Sequence, residues 1–266
     1  MPSSGNVVLY EHPLSPYAQK VKIALREKDV PFELAMPDAI GSGATGGEFM
    51  KANPRGEVPV LIDGDTAVFD STIILEYVED RWPMPSLLPK APAARARVRM
   101  IEDVMDTQFE AINWGLGEVA FFRRATGDEA KAIETRAATQ ARSYFSWLDR
   151  ELGSQDWFNG ETFGWGDLAV VPYLNGAAGF GNVPASGSNL EAWFARVNER
   201  PSVATTAAEA RAGAEAMTQV ANVLEQGLFK REYRDHRLEW MIKIAGLDVI
   251  REGLARDDIR FSNDFS

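Results

Sequence analysis

Four prolines fall within twelve residues, "PMPSLLPKAPAA" (83–94), and they divide the chain into two stretches that follow different periodicities. Proline fixes φ and has no N–H to donate, so neither a strand ladder nor a helix interior runs through such a segment. The segment therefore reads as a linker between two independently patterned parts. Before it, "NVVLYE" (6–11) reads as a buried strand. Pro16 to about Lys28 reads as a helix, with Val21, Ile23, Ala24 and Leu25 apolar and Tyr17 one turn earlier. "PFELAMP" (31–37) is a second strand candidate, and "GSGATGGEF" (41–49) reads as a mobile loop and a candidate lid. "VPVLIDGDTAVFDS" is a hairpin: a strand Val58–Ile62, a turn at Asp63-Gly64-Asp65 and a strand Ala67–Phe69. Ser71 then opens a helix in which Ile73, Ile74, Tyr77 and Val78 are apolar at helical spacing. After the prolines the pattern is helical over roughly 92–123, 128–152, 166–178, 189–199, 201–226 and 235–255. The expected fold class is α/β plus all-α, with an α/β domain over 5–83 and a helical domain over 92–266.

The composition removes several kinds of chemistry. A net charge of −11 argues against nucleic acid, whose phosphates demand a basic face, but leaves room for an anionic small ligand in a local positive pocket. With no cysteine, disulfides, thiolate nucleophiles and thiolate metal ligands are excluded, and no metal is expected. The only histidines are His12 and His236, and neither lies in a nucleophile elbow; both are expected to pack or face solvent. Any reactive group must come from a substrate or cofactor. No apolar run approaches the roughly 18–20 residues that cross a bilayer. The start, "MPSSGNVVLYEH", has no basic-then-apolar leader, so a cytoplasmic location and no membrane partner are expected.

Three short motifs admit both a structural and a chemical reading. Ser15, in "HPLSPYAQKVKIAL", stands before Pro16, a favoured first helical residue, so it is either a helix cap or a hydroxyl aimed at an anion. Val58-Pro59 puts a proline at the start of a strand, which fits an edge strand or a cis X–Pro bond. Asp70-Ser71 lies where a strand gives way to a helix, which suits capping and also suits holding a carboxylate on free N–H groups.

Four segments, "SPYAQKVKIALREKDVPFEL", "NPRGEVPVLIDGD", "DSTIILEYVED" and "FGWGDLAVVPYL", occur in this order and resemble the cytosolic glutathione transferases of the serine-using type over about residues 6–205. The resemblance implies a thioredoxin-like N-terminal domain, an all-helical second domain, and glutathione as co-substrate with no metal. It implies that the main chain of Val58, before Pro59, pairs with the cysteinyl residue of glutathione, and that Asp70 and Ser71 grip its γ-glutamyl end. Arg55 and Lys20 are candidates for the glycine carboxylate, with Gln19 as a polar contact; their other reading is solvated surface charge. Ser15 is implied as the catalytic hydroxyl that stabilises the thiolate, with Tyr10 and Tyr17 as substitutes. Serine cannot form the mixed disulfide that a cysteine at this position would.

An electrophile pocket is expected between the domains, drawing on Phe109 and Asn113 from a stripe on the 92–123 helix that also contains Met105, Leu116 and Phe121, with Tyr173 and Phe180 adding from the later helix; the same stripe also reads as core. Asp167 is expected to be structural, as half of a capping box whose cap position is Gly164. The leading expectation is thiolate attack on a hydrophobic electrophile. The alternatives are ether cleavage as in etherase-like members, a non-catalytic glutathione-binding or scaffold protein, and peroxide reduction as a side activity. A homodimer is implied through the helices starting near Ser71 and Ala91. Residues 207–266 are expected to cap the cleft or bolster the dimer, with "DDIRFSNDFS" as a terminal arm.

Overall fold

The computed structural model describes residues 7–37, 47–217, 244 and 246–256. Strand β1 (Val7–Tyr10) leads into helix α1 (Pro16–Glu27) and strand β2 (Phe32–Ala35), followed by a short α2 (Gly47–Ala52). The hairpin β3 (Val60–Asp63) and β4 (Thr66–Phe69) then passes directly into α3 (Ser71–Arg81). The sheet order is β2-β1-β3-β4, with β1 parallel to β2 and antiparallel to β3. Alternation places Val7 and Leu9 of β1 inward, where they meet Val21, Ile23, Leu25, Ile74 and Val78 from α1 and α3. The thioredoxin-like expectation holds. Helix α2 is an addition: six residues anchored by buried Phe49, in a stretch whose glycines read as loop. The candidate lid over 41–46 lies outside the described residues.

The second part contains α4 (Pro92–Val104), α5 (Glu110–Ala120), α6 (Gly127–Leu152), α7 (Trp165–Gly179), α8 (Asn189–Asn198) and α9 (Pro201–Met217), and a last helix covers Leu247–Ala255. Of the expected helix over 201–226, only the part to Met217 is described; His236 and the terminal arm fall outside the described residues. Helix α7 is buried from Trp165 to Leu174 and packs against α1, α4, α5, α8 and α9, so it serves as the spine that joins the two parts. At its start, Asp167 accepts from the N–H groups of Phe158 (2.8 Å) and Gly164 (3.0 Å) and from the Trp193 indole (2.8 Å). Burial nevertheless lifts its carboxyl to about 6, against the pull of those donors.

The expected single helix over 92–123 is interrupted. One turn, Met105–Phe109, is a π-helix, with the Glu110 N–H reaching back to Met105 O. The wider turn diverts the Asp106 carbonyl to the Tyr17 hydroxyl at 2.7 Å, and the Thr107 hydroxyl takes Asp103 O at 2.6 Å.

The proline segment is firmly tied. The buried Lys28 ammonium donates to Trp82 O and Pro85 O, both at 2.7 Å, and lies 2.8 Å from Glu79. Leu87 N–H donates to Glu79, while Leu87 O accepts from Trp165 N–H at 2.8 Å. Main-chain groups that the prolines leave without a ladder are thus satisfied by side chains and by the start of α7. No helix among the described residues is long and apolar enough to cross a membrane.

Candidate active site

Ser15 closes a tight turn: its N–H donates to His12 O at 2.8 Å, and Leu14 N–H donates to His12 Nδ1 at 3.2 Å. Its backbone is extended and its Oγ accepts from Ala18 N–H at 3.3 Å, so it is the N-cap of α1. Accepting that bond uses a lone pair and leaves the hydroxyl proton free to donate. No described residue takes it. The cap and an unpaired donor therefore coexist on one side chain, at a helix end that already favours negative charge.

Val58-Pro59 is a cis peptide bond. The β3 ladder begins only at Val60, and no described residue hydrogen-bonds the main chain of Val58. Asp70 caps α3: Oδ1 accepts from Thr72 N–H at 3.1 Å and Ile73 N–H at 3.4 Å. Its φ of 74° is unusual for a residue with a side chain and costs on the order of 1–3 kcal/mol. Ser71 is buried, and its hydroxyl and N–H have no partner among the described residues. Arg55 lies beside this corner, with Nη2 2.6 Å from Glu57 and Nη1 3.6 Å from Asp70. Arg55, Asp70, Phe69 and Ile73 line an open groove along β4 and the start of α3. Ser15 is not among its walls.

Lys20 does not belong to this set. It is fully buried, 2.5 Å from Glu102 and 2.6 Å from Asp106, so its charge is neutralised inside the protein and cannot meet a substrate carboxylate. Burial works to lower its pKa, but the two carboxylates prevail and hold it above the ordinary lysine value. Glu102 also accepts from the Thr72 hydroxyl at 2.9 Å and the Trp165 indole at 2.5 Å. The network therefore joins α1, α3, α4 and α7. Gln19 is likewise internal, donating to Pro13 O at 2.8 Å, and pins the loop that carries Ser15.

Tyr17, the substitute hydroxyl, already donates to Asp106 O. Burial and the charges of Glu110, Asp106, Glu57 and Asp70 push its pKa well above the usual phenol value, so it supplies neither a base nor a spare donor. Tyr10 packs against Phe49, with ring centroids 5.5 Å apart and the planes tilted by 49°.

The expected pocket side chains are mostly core. Phe109 is fully buried between Tyr144 and Phe145, with ring centroids 5.5 and 5.8 Å away. Tyr173 is fully buried and donates to Asp106 Oδ1 at 2.6 Å. Asn113 is half-buried and uses its Nδ2 to hold Tyr173 O at 2.8 Å. These three are corrected from pocket to packing: the π turn and α5 present Phe109 and Asn113 to α6 and α7, and Tyr173 is on the buried part of α7 itself. A group that apolar patterning overlooked is Glu110, four residues after Asp106 and three before Asn113. Its carboxyl has no hydrogen-bond or ion-pair partner among the described residues. Burial, then the charge of Asp106, raises it to about 7.

Two family models match the chain: the glutathione S-transferase N-terminal domain over residues 9–86 and the C-terminal domain over 112–201. Glutathione S-transferase U28 of Arabidopsis thaliana is 32% identical over 213 residues, which cover 77% of this chain and 90% of that protein. The chain belongs to the glutathione S-transferase family. Within the same family-wide likeness, a stringent starvation protein A homolog of Haemophilus ducreyi is 28% identical, over 70% of this glutathione S-transferase and 82% of the homolog. The crystal structure of rice GST1 in complex with glutathione superposes with a TM-score of 0.66 at 26% identity, covering 85% of this chain and 98% of the rice chain. The sheet, the helical part and the two-domain order are those of glutathione transferases. Most of α9, from Ser202 onward, lies beyond both matched spans.

Proposed function

We propose that this glutathione transferase is of the serine-using type and activates the glutathione thiol at Ser15 for attack on a hydrophobic electrophile. The observation that carries the reading is the Ser15 hydroxyl at the N-terminus of α1, whose proton has no acceptor among the described residues, in a chain without cysteine. A free thiol has a pKa near 8.5, so only a few per cent is ionised at neutral pH. A hydroxyl donating to the sulfur contributes about 1.5–3 kcal/mol to the anion, a shift of roughly one to two pKa units. The thiol proton leaves to solvent, and the thiolate attacks the electrophilic carbon: the carbon–sulfur bond forms as the bond to the leaving group breaks, and that group departs with the electron pair and takes a proton from solvent.

The unpaired main chain of Val58 suits the cysteinyl residue, which would add to it like a further strand. The free N–H and hydroxyl of Ser71, at the α3 N-terminus, suit the γ-glutamyl carboxylate, and the Asp70 carboxylate suits its amine. Arg55, over the same corner, supplies a cation for a glutathione carboxylate. Lys20 is left out, for the reason given by its burial. Conjugation and displacement at an ether carbon share these steps and differ only in the leaving group, so product analysis separates them. A homodimer and a cytoplasmic location complete the proposal.

Ser15→Ala tests it through the thiolate absorbance of bound glutathione. The bound thiol's pKa should rise by about one to two units while glutathione affinity changes by less than about threefold. An unchanged thiol pKa would refute the role of Ser15.

A further inference from the structure

Helix α9 packs against α1, and its later part, around Gly213, reaches the loop that carries Ser15. At one end, Arg26 donates to the Thr206 hydroxyl and to Glu209, both at 2.5 Å, and Lys22 lies 3.0 Å from Glu209. At the other end, a Cβ on Gly213 would stand 2.8 Å from Pro13 Cβ and 3.4 Å from Pro13 Cγ. Thr206, Glu209 and Gly213 follow one another at spacings of three and four, so they form one stripe that faces α1 and its loop. The two helices run antiparallel: the end of α1 meets the earlier part of α9, and the residues before α1 meet the later part.

Gly213 is the only glycine in α9, a helix otherwise rich in alanine. Glycine is the poorer helix former, and no left-handed backbone angle calls for it here. Its distinguishing property is the close approach that a missing Cβ permits. Pro13 is held on both sides. Gly213 abuts its ring, and the Gln19 side chain grips its carbonyl at 2.8 Å. Two residues on, Ser15 is fixed by His12 O and by its cap bond to Ala18.

We infer that Gly213 is a positioning residue: through Pro13, α9 sets where the Ser15 hydroxyl points. The inference rests on the proposed role of Ser15 and extends it to a helix that lies largely outside the spans matched by the family models. Closely packed neighbours transmit a displacement rather than absorb it. A side chain at 213 therefore has to move either the loop or the helix.

Gly213→Ala and Gly213→Val are compared with Glu209→Gln, which loosens α9 from α1 without touching Pro13. The readouts are the pKa of the bound glutathione thiol, the acidic limb of the kcat/KM pH profile, and glutathione affinity by calorimetry. Both Gly213 variants should raise the thiol pKa and move the acidic limb with it, lowering kcat/KM at neutral pH by roughly tenfold for the valine variant, as for other small misplacements of catalytic groups. Glutathione affinity should change by less than about twofold, because Val58, Asp70 and Ser71 are untouched. Glu209→Gln should leave the thiol pKa in place. In a Pro13→Gly background, which removes the contacted atoms, Gly213→Ala should have no further effect.

The inference fails if the thiol pKa is unmoved by the Gly213 variants, or if Glu209→Gln moves it equally. If valine prevents folding, the alanine variant decides alone, since alanine is the better helix former and adds one methyl group. Ser15→Ala in the same assay separates the two ideas. A shift with Ser15→Ala but none with Gly213 variants sinks only the positioning role, and no shift with Ser15→Ala sinks the reading of Ser15 itself.

Discussion

Replacing Lys20 by methionine removes the one positive charge between Glu102 and Asp106, whose side chains are 2% and 14% exposed. The Trp165 indole and the Tyr173 hydroxyl would still donate to the two carboxylates, but a double negative charge would remain inside the protein. Removing one partner of a buried pair costs about 3–5 kcal/mol, because the other charge is left uncompensated. The folded variant has an escape, which is to take up a proton on one carboxyl. From the ordinary value of 3.8 for Asp106, that uptake costs about 4 kcal/mol at pH 7 and falls by about 1.4 kcal/mol per pH unit. The variant's carboxyl has a raised folded pKa, so its stability is present at low pH and lost as pH rises. The expected deficit against wild type is thus about 3–4 kcal/mol at pH 7 and about 1–2 kcal/mol at pH 5, measured from urea unfolding at a series of pH values. Adding Asp106→Asn to Lys20→Met should recover most of the loss. A deficit under about 1 kcal/mol at pH 7, or one that does not change with pH, would refute the assignment of Lys20 as a buried structural charge.

Glu110, raised from 4.5 to about 7 by burial and then by Asp106, contributes stability that is complete below its unfolded pKa and lost as pH passes about 7. Glu110→Gln should therefore match wild type near pH 4 and exceed it by about 1–3 kcal/mol near pH 8 in the same unfolding series. A variant no more stable than wild type near pH 8 would contradict this. Asp167→Ala leaves the N–H groups of Phe158 and Gly164 and the Trp193 indole without their acceptor, and should cost about 3 kcal/mol or more. Because burial lifts Asp167 to about 6, Asp167→Asn should remove the part of the wild-type stability decline that accompanies rising pH through that value.

The sheet was legible because period-two alternation and the Asp63-Gly64-Asp65 turn are local signals, and β1, β3 and β4 fall within two residues of their expected bounds. The π turn was not legible. One extra residue in a helix leaves the apolar count unchanged, and a stripe drawn through Phe109 and Asn113 reads the same whether it lines a pocket or packs against α6 and α7, as it does here. Glu110 stands beside Asp106 at the four-residue spacing that any helix brings together, and its trace in the sequence is that pair of acids next to an apolar stripe. Helix α2 was hidden by the glycines around it, since its single buried anchor, Phe49, is too little for periodicity to register.

Around Ser15 the division between readable and unreadable follows sequence distance. A cap is a bond across three residues, so Ser15 and Asp70 could be placed at helix starts from the sequence alone. What surrounds them is contributed from far away. Lys20 has the look of a solvated helix charge until Glu102 and Asp106, 82 and 86 residues later, arrive to bury it. Two hydroxyls stand two residues apart at the mouth of α1, and nothing local chooses between them. The choice is made by the Asp106 carbonyl, 89 residues on, which the π turn releases and which accepts the hydrogen bond of the Tyr17 hydroxyl. Tyr17 is thereby spent on holding the two domains together, and among the described residues Ser15 is left as the hydroxyl without an acceptor, which the proposed contact with sulfur requires.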